Sequence, residues 1–328
     1  MCASISQVFR VERRSHIEFE FECSPCLALD EVGLCELTAV LCCSPEMLGW
    51  RTIELIQAGE LSAVPVHGES CLGQGLTSEV YSFPAHVRQY SDAVAKRYRA
   101  NYDGVLRHER SILAKLVNIP GTPKIVAKSR EDVLIMRPLG DPVQRASAGS
   151  NYLTRRHIVE LVDIIRASHG RGIVHRDVRL SNMLLSGKKS DRKMLLIDWG
   201  FAVDLGSPEP VDDFIMKGGT LTTASPRILE HYMDQRIPPP LKCDDLQALV
   251  RTMYLYRYSA ADKQMKAICP GSNYHIDIAR KVEQFWSVAL QQSPWNQFEQ
   301  MALKLRYKEL ATELSEFCKE LCVDGSAI

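Results

Sequence analysis

His175-Arg176-Asp177-Val178-Arg179-Leu180-Ser181-Asn182 is the stretch that decides how this chain is read. A carboxylate, Asp177, and a carboxamide, Asn182, stand five positions apart on one polar stretch. That spacing lets Asp177 face a hydroxyl while Asn182 faces a metal ion. Phosphoryl-transfer chemistry asks for both, a carboxylate beside the attacking hydroxyl and oxygen ligands for the cation that neutralises phosphate charge. The flanks fit a loop held between two elements. Upstream, Ile158, Leu161, Val162, Ile165 and His169 recur at helical spacing. Downstream, Met183-Leu184-Leu185 and Met194-Leu195-Leu196-Ile197 flank a polar turn and read as a hairpin.

Working outward, Asp198-Trp199-Gly200 follows the second of those strands. A carboxylate at a strand end, freed by a following glycine, suits magnesium, which binds through few protein carboxylates and takes the rest of its oxygens from phosphate and water. An isolated Asp-x-Gly is a turn. Its place after the His175–Asn182 loop makes Asp198 the candidate metal ligand beside Asn182. Toward the N-terminus, Leu72-Gly73-Gln74-Gly75-Leu76-Thr77-Ser78-Glu79-Val80 carries glycines that let backbone N–H groups approach phosphate. Ala93-Val94-Ala95-Lys96 is an expected strand, and Tyr102 to Leu116 an expected helix with Leu106, Ile112, Leu113 and Leu116 inward. A strand lysine holds phosphates only if something orients it, and Glu109 on that helix can do so by ion pairing. Val133-Leu134-Ile135-Met136 reads as a further strand ending at Pro138.

Together these segments resemble the eukaryotic protein kinase superfamily over about residues 68–322. The resemblance implies a two-lobed α+β fold with a small β-rich N-lobe over 68–136, a hinge over 137–141 and a larger helical C-lobe over 142–322. ATP and Mg2+ would lie in the cleft, and the reaction implied is transfer of the γ-phosphate to serine or threonine of protein substrates. Residue by residue, Lys96 is similar to the phosphate lysine, Glu109 to its partner, Asp177 to the catalytic base, and Asn182 and Asp198 to the magnesium ligands. Gly73, Gly75 and Ser78 match the loop over the phosphates, with Ser78 where a third glycine is usual. Val80 and Val94 would cover the adenine, Met136 would guard the back pocket, and Arg137 and Leu139 would lie in the hinge. Arg179 stands where serine/threonine kinases usually carry lysine and is counted with the catalytic group. Arg176 resembles the arginine that pairs with a phosphate on the activation segment, for which Ser207, Thr222 and Thr223 are candidates.

Gly219-Thr220-Leu221-Thr222-Thr223-Ala224-Ser225-Pro226-Arg227 resembles the stretch that usually reads GTxxxxAPE. Arg227 replaces its glutamate, so the buried ion pair of that glutamate is either missing or reversed, with Glu230 as a compensating candidate. Asp244-Asp245-Leu246 resembles the start of the central large-lobe helix, where Asp244 would accept backbone N–H bonds from the catalytic loop. The Asp-Asp-Leu form is similar to casein-kinase-like and fungal or oomycete effector-type kinases. Two alternatives are carried. A pseudokinase or scaffold draws on Ser78, Trp199 and Arg227. A small-molecule phosphotransferase of the aminoglycoside or choline type draws on Ile197-Asp198-Trp199, against Arg176 and the Gly219–Pro226 segment.

The bulk composition excludes other classes. Formal net charge is +0 over 328 residues, and the basic residues are scattered, which argues against a nucleic-acid partner. No apolar run is long enough for a bilayer, and Met1 to His16 lacks the apolar core of a secretory signal. The 11 cysteines are therefore expected as reduced thiols in a cytoplasmic or nuclear compartment. Cys23-x-x-Cys26 has the spacing of half a zinc site but lacks a second spaced pair. Residues 1–67 read as an N-terminal extension or small accessory region, with strand character over Val8–Glu22 and a short helix over Trp50–Ala58. Leu303, Tyr307, Leu310, Leu314, Phe317 and Leu321 recur at helical spacing and predict a last amphipathic helix, and residues 323–328 read as a tail.

Overall fold

Val94–Tyr98 alternates an inward and an outward face, Val133–Arg137 is apolar up to its last residue, and the two form neighbouring antiparallel strands. Leu134 stands opposite Lys96 and Met136 opposite Val94. The computed structural model describes residues 71–83, 88–129, 132–145, 152–188, 191–207, 211–270 and 275–319, together with the backbone of six strands before residue 71. Seven strands make one antiparallel sheet, in the order Glu60–Val66, Arg51–Gln57, Lys124–Ser129, Val133–Arg137, Val94–Tyr98, Ser78–Ser82 and Cys71–Gln74. The helix Asp103–Leu116 packs Val105, Leu106, Ile112, Leu113 and Leu116 into the core beneath it. The remaining chain is mainly helical. The two-lobed α+β fold is thus the one observed.

Two expectations change. Arg51–Gln57 is a strand, whereas a short helix was expected over Trp50–Ala58. Thr52, Ile53 and Ile56 are β-branched, and the segment pairs along its whole length with Glu60–Val66. That hairpin joins the sheet through Ile56 opposite Lys128 and Leu55 opposite Ser129, so the sheet reaches back past residue 67. The strand character expected over Val8–Glu22 is met by Phe9–Arg13 and Phe19–Cys23, paired antiparallel. The side chains of Cys23 and Cys26 lie outside the described residues.

At the other end, one helix was expected from Leu303 to Leu321. Two are present, Trp295–Leu303 and Tyr307–Lys319. Leu305, at φ 54°, takes a left-handed conformation that no helix continues through. The apolar spacing runs on across the break, which is why the sequence reads as one element. Leu310 and Leu314 are buried, while Leu303 is 51% exposed. Leu321 lies outside the described residues.

The large lobe is organised around the helix Lys242–Arg257, which is buried on almost every side. One consequence settles the arginine at position 227. Arg251 Nε donates to Glu299 at 2.9 Å, Gln247 Nε2 donates to its other oxygen at 2.7 Å, and a second Arg251 nitrogen bonds the carbonyl of Ala224. The large-lobe arginine therefore finds its carboxylate on the helix Trp295–Leu303. Arg227 pairs instead with Asp244, so of the two expected outcomes the ion pair between position 227 and the large-lobe arginine is the missing one, and each arginine has its own carboxylate. Removing one member of a buried pair strands the other. Glu299→Ala is expected to lower unfolding free energy by about 3–5 kcal/mol in denaturant titration. Arg251→Met combined with Glu299→Leu should lose distinctly less.

Candidate functional site

Strand alternation puts Ala95 into the sheet's outer core and Lys96 toward the helix Asp103–Leu116. Lys96 Nζ bonds Glu109 Oε2 at 2.7 Å and Asp198 Oδ1 at 2.8 Å. Burial opposes its charge, but the Asp198 and Glu109 carboxylates outweigh that and hold the ammonium well above the usual lysine value. Burial likewise pushes the Asp198 carboxyl up, yet Lys96 keeps it below the ordinary range. Asp198 sits at φ 67°, a left-handed conformation that turns the chain out of the strand Lys193–Leu196 and directs its carboxylate to Lys96. Trp199 is fully buried, edge-on to His175 with ring centroids 4.4 Å apart, and donates its indole N–H to Leu196.

Within electrostatic reach of Asp198, Asn182 Nδ2 donates to both the backbone carbonyl and the carboxylate of Asp177, each at 2.8 Å. Arg179 Nε lies 3.1 Å from Asp177 Oδ2 with its guanidinium partly exposed. Burial raises the Asp177 carboxyl, and the nearby Asp198 charge adds to it against the opposing Arg179. Asp177 Oδ1 is buried and has no hydrogen-bond partner among the described residues. An orphaned carboxylate oxygen at this point is what a base awaiting a substrate hydroxyl would present.

The loop carrying these groups is held from below by Asp245. Its Oδ2 accepts the N–H of His175 at 2.7 Å and its Oδ1 that of Arg176 at 2.8 Å. The sequence reading gave this task to Asp244. One residue along a helix is a turn of 100° about the axis, and Asp244 faces the other way, accepting from Ser225 and Arg227 and capping the helix at Leu241 N. His169 Nε2 also donates to Asp245 at 2.8 Å, and its Nδ1 accepts from the Tyr307 hydroxyl at 2.7 Å. Burial, with the Asp245 charge beside it, pushes the Tyr307 hydroxyl up to about 12. No sequence pattern indicated His169 or Tyr307 as partners, since they lie 138 positions apart.

The phosphate loop is set by Gly75 N–H donating to the Ser78 carbonyl at 2.8 Å. A Cβ at Gly73 would meet nothing within 4 Å, and one at Gly75 only the Ser78 carbonyl at 3.6 Å. The chain's own packing therefore does not demand glycine at either position. Ser78 is a buried strand residue opposite Tyr98, so it shapes the loop through its carbonyl and does not offer a side chain. Val80 and Val94 are half-buried and Met136 is buried. The Arg137 side chain turns to Asp92 at 2.8 Å, and the Leu139 N–H is committed to the Asp92 carbonyl at 2.6 Å.

The family comparison adds to this geometry. A family model described as "Protein kinase domain" matches residues 66–237. The chain belongs to the protein kinase family. This kinase chain is similar to a serine/threonine-protein kinase, PKH3, of Eremothecium gossypii, 25% identical over 181 residues, which are 48% of this chain and 24% of that protein. It is also similar to calcium-dependent protein kinase 9 of Oryza sativa subsp. japonica, 28% identical over 106 residues, covering 30% of this chain and 18% of that one. The match thus spans a quarter or less of these relatives' own length. Among solved structures, vaccinia related kinase 3 aligns with a TM-score of 0.56 at 15% identity, covering 83% of this chain and 91% of that one, a likeness of fold.

The residues that could hold magnesium are those expected from the sequence, Asn182 through its amide oxygen and Asp198 through its carboxylate. Among the described residues no group of three or more His, Cys, Asp or Glu is close enough to hold a metal alone. Two hard oxygen donors fit an ion that takes its other ligands from phosphate and water.

Asp245 yields a pH-dependent prediction. Burial pushes its carboxyl up, but the His169 bond and the loop N–H groups hold it below the ordinary value. A depressed carboxylate contributes stability above its unfolded pKa, about 3.9, and that contribution fades as pH falls toward the folded value. Asp245→Asn should therefore cost roughly 2–3 kcal/mol at neutral pH. Denaturant titrations should show the gap to wild type constant above about pH 5 and closing below about pH 4.

Proposed function

We propose that the chain transfers the γ-phosphoryl group of ATP, with magnesium, to serine or threonine hydroxyls of protein substrates. The observation that carries the reading is the convergence of the Lys96, Glu109 and Asp198 cluster with the Asp177, Asn182 and Arg179 cluster, close enough for the Asp198 and Asp177 charges to act on each other. The serine/threonine names of the sequence relatives support it. So does a cavity of about 510 Å3 beside Val178 and beneath Gly219–Ser225, lined by Leu221, Ile228, Tyr232 and Ile237, with room for the flanks of a peptide. Cytoplasmic or nuclear residence is part of the proposal, supported by the free thiols of Cys71, Cys243 and Cys269 among the described residues.

In this reading the glycine-loop backbone and Lys96 bind the phosphates, and Glu109 orients Lys96. Asp177 aligns the attacking hydroxyl and accepts its proton at one carboxylate oxygen. Arg179, partly exposed beside Asp177, balances charge on the transferred group. Magnesium, when bound by Asn182 and Asp198, supplies charge neutralisation on the phosphates. Catalysis rests on positioning and electrostatics, since the protein has little covalent work to do.

Arg176 bears on regulation. Its guanidinium donates to the backbone carbonyls of Phe201, Ile215, Met216 and Gly218, the last three in the activation segment, and burial lowers its pKa. Thr223 is buried against the Val178 carbonyl. The arginine that would receive a phosphate is already engaged by the segment itself. Main-chain bonds from Arg176 already hold the segment at Ile215, Met216 and Gly218, so activity would not wait on a phosphate.

Radiolabelled ATP with generic protein substrates tests the whole reading. Asp177→Ala and Asp198→Ala should each lower turnover by about 10²–10³ or more while the far-UV spectrum stays native. A near-wild-type rate in either would overturn the assigned roles. Because burial raises the Asp177 carboxyl, the acid limb of kcat/KM should lie above the ordinary aspartate value of about 3.9. Phosphatase treatment of the purified protein should leave the rate unchanged.

A further inference from the structure

Tyr98 is not among the residues assigned so far, yet it touches both members of the Lys96–Glu109 pair. It lies two positions after Lys96 on the same strand, so both side chains leave the same face. Its hydroxyl donates to Glu109 Oε2, the oxygen that also receives Lys96 Nζ. Its ring lies under the Lys96 ammonium, 5.3 Å from nitrogen to centroid. Burial, with the Glu109 charge beside it, keeps the phenol protonated well above the usual tyrosine value, so it stays a donor.

The Glu109 carboxylate is 1% exposed and has three donors, two from the strand Val94–Tyr98 and one from the backbone at Trp199. Lys96 and the Tyr98 hydroxyl share Oε2, and the backbone N–H of Trp199 reaches Oε1 at 3.2 Å. Lys96 itself divides between Glu109 and Asp198. Under the proposed function, Asp198 gives its charge to the metal during turnover. The station of Lys96 then depends on Glu109 alone, and Glu109 on the two donors that remain. Of these, only Tyr98 also touches the lysine.

We propose that Tyr98 is a positioning residue of the nucleotide site, fixing Glu109 by its hydroxyl and Lys96 by its ring, so that the ammonium stays aimed at the ATP phosphates. The proposal rests on the kinase reading. It predicts an effect confined to the phosphates, because Lys96 reaches only that part of the nucleotide. A hydroxyl that served packing alone would affect ATP and adenosine alike, or the melting temperature alone.

The test measures dissociation constants of Mg·ATP and of adenosine, with melting temperature, for the full chain and for Tyr98→Phe and Tyr98→Leu. Tyr98→Phe keeps the ring and loses only the hydroxyl. It should weaken ATP binding roughly three- to tenfold, as expected when part of a charge-assisted hydrogen bond is lost, with adenosine affinity unchanged. Tyr98→Leu also removes the ring and should weaken ATP further, by about another threefold. Tyr98→Phe with wild-type ATP affinity overturns the inference, as does an equal loss for adenosine. If wild type binds neither ligand, the kinase reading falls and this inference falls with it. Wild-type binding with a silent Tyr98→Phe sinks the inference alone.

Discussion

A single buried carboxylate, Glu109, ties the parts of the cleft together. A charged carboxylate taken out of water is strongly unfavourable unless donors replace the solvent it has lost. Here the donors come from the strand Val94–Tyr98, twice, and from the backbone at Trp199, on the segment that carries Asp198. The burial of one side chain therefore fixes the distance between the sheet, the helix Asp103–Leu116 and the turn that follows Asp198. Any shift of that helix would open all three bonds at once.

The large lobe uses the same logic at Asp245. Its carboxylate replaces solvent for the N–H groups of His175 and Arg176, which have left regular structure to form the loop bearing Asp177. Behind it, His169 and Tyr307 extend the bonding to the helix Tyr307–Lys319. The far end of the described chain thus buttresses the loop through three buried or half-buried polar groups. Nearby, Arg227 stands where the resemblance puts a glutamate, and each arginine has a carboxylate of its own: Arg227 takes Asp244, and Arg251 takes Glu299. Both arginines remain compensated, so the departure at position 227 leaves no stranded charge to distort the activation segment.

Much of this was legible in the residues. The His175–Asn182 loop, Asp198-Trp199-Gly200, and the Lys96 and Glu109 pairing could be read because each is a short pattern whose chemistry needs fixed spacing. The helices Asp103–Leu116 and Arg155–Gly170 and the hairpin Met183–Ser186 with Lys193–Leu196 came from apolar periodicity, a local property. Arg51–Gln57 was misread because its apolar residues satisfy a helical spacing as well as an alternating one. Only its pairing with Glu60–Val66 and Lys124–Ser129 chooses between them. The break at Leu305 was invisible because the apolar stripe continues across it.

What the sequence by itself determined is the order of elements and the identity of the groups in the cleft, since spacing and residue type are written along the chain. What only the tertiary structure decided is which of two adjacent aspartates holds the loop, which carboxylate meets Arg251, that Arg176 is engaged by main-chain carbonyls, and that Tyr98 braces the Lys96–Glu109 pair. The reason is physical. Those outcomes depend on the rotation of a helix about its axis and on contacts between residues far apart in the chain. Neither leaves a periodic trace in the residues that make them.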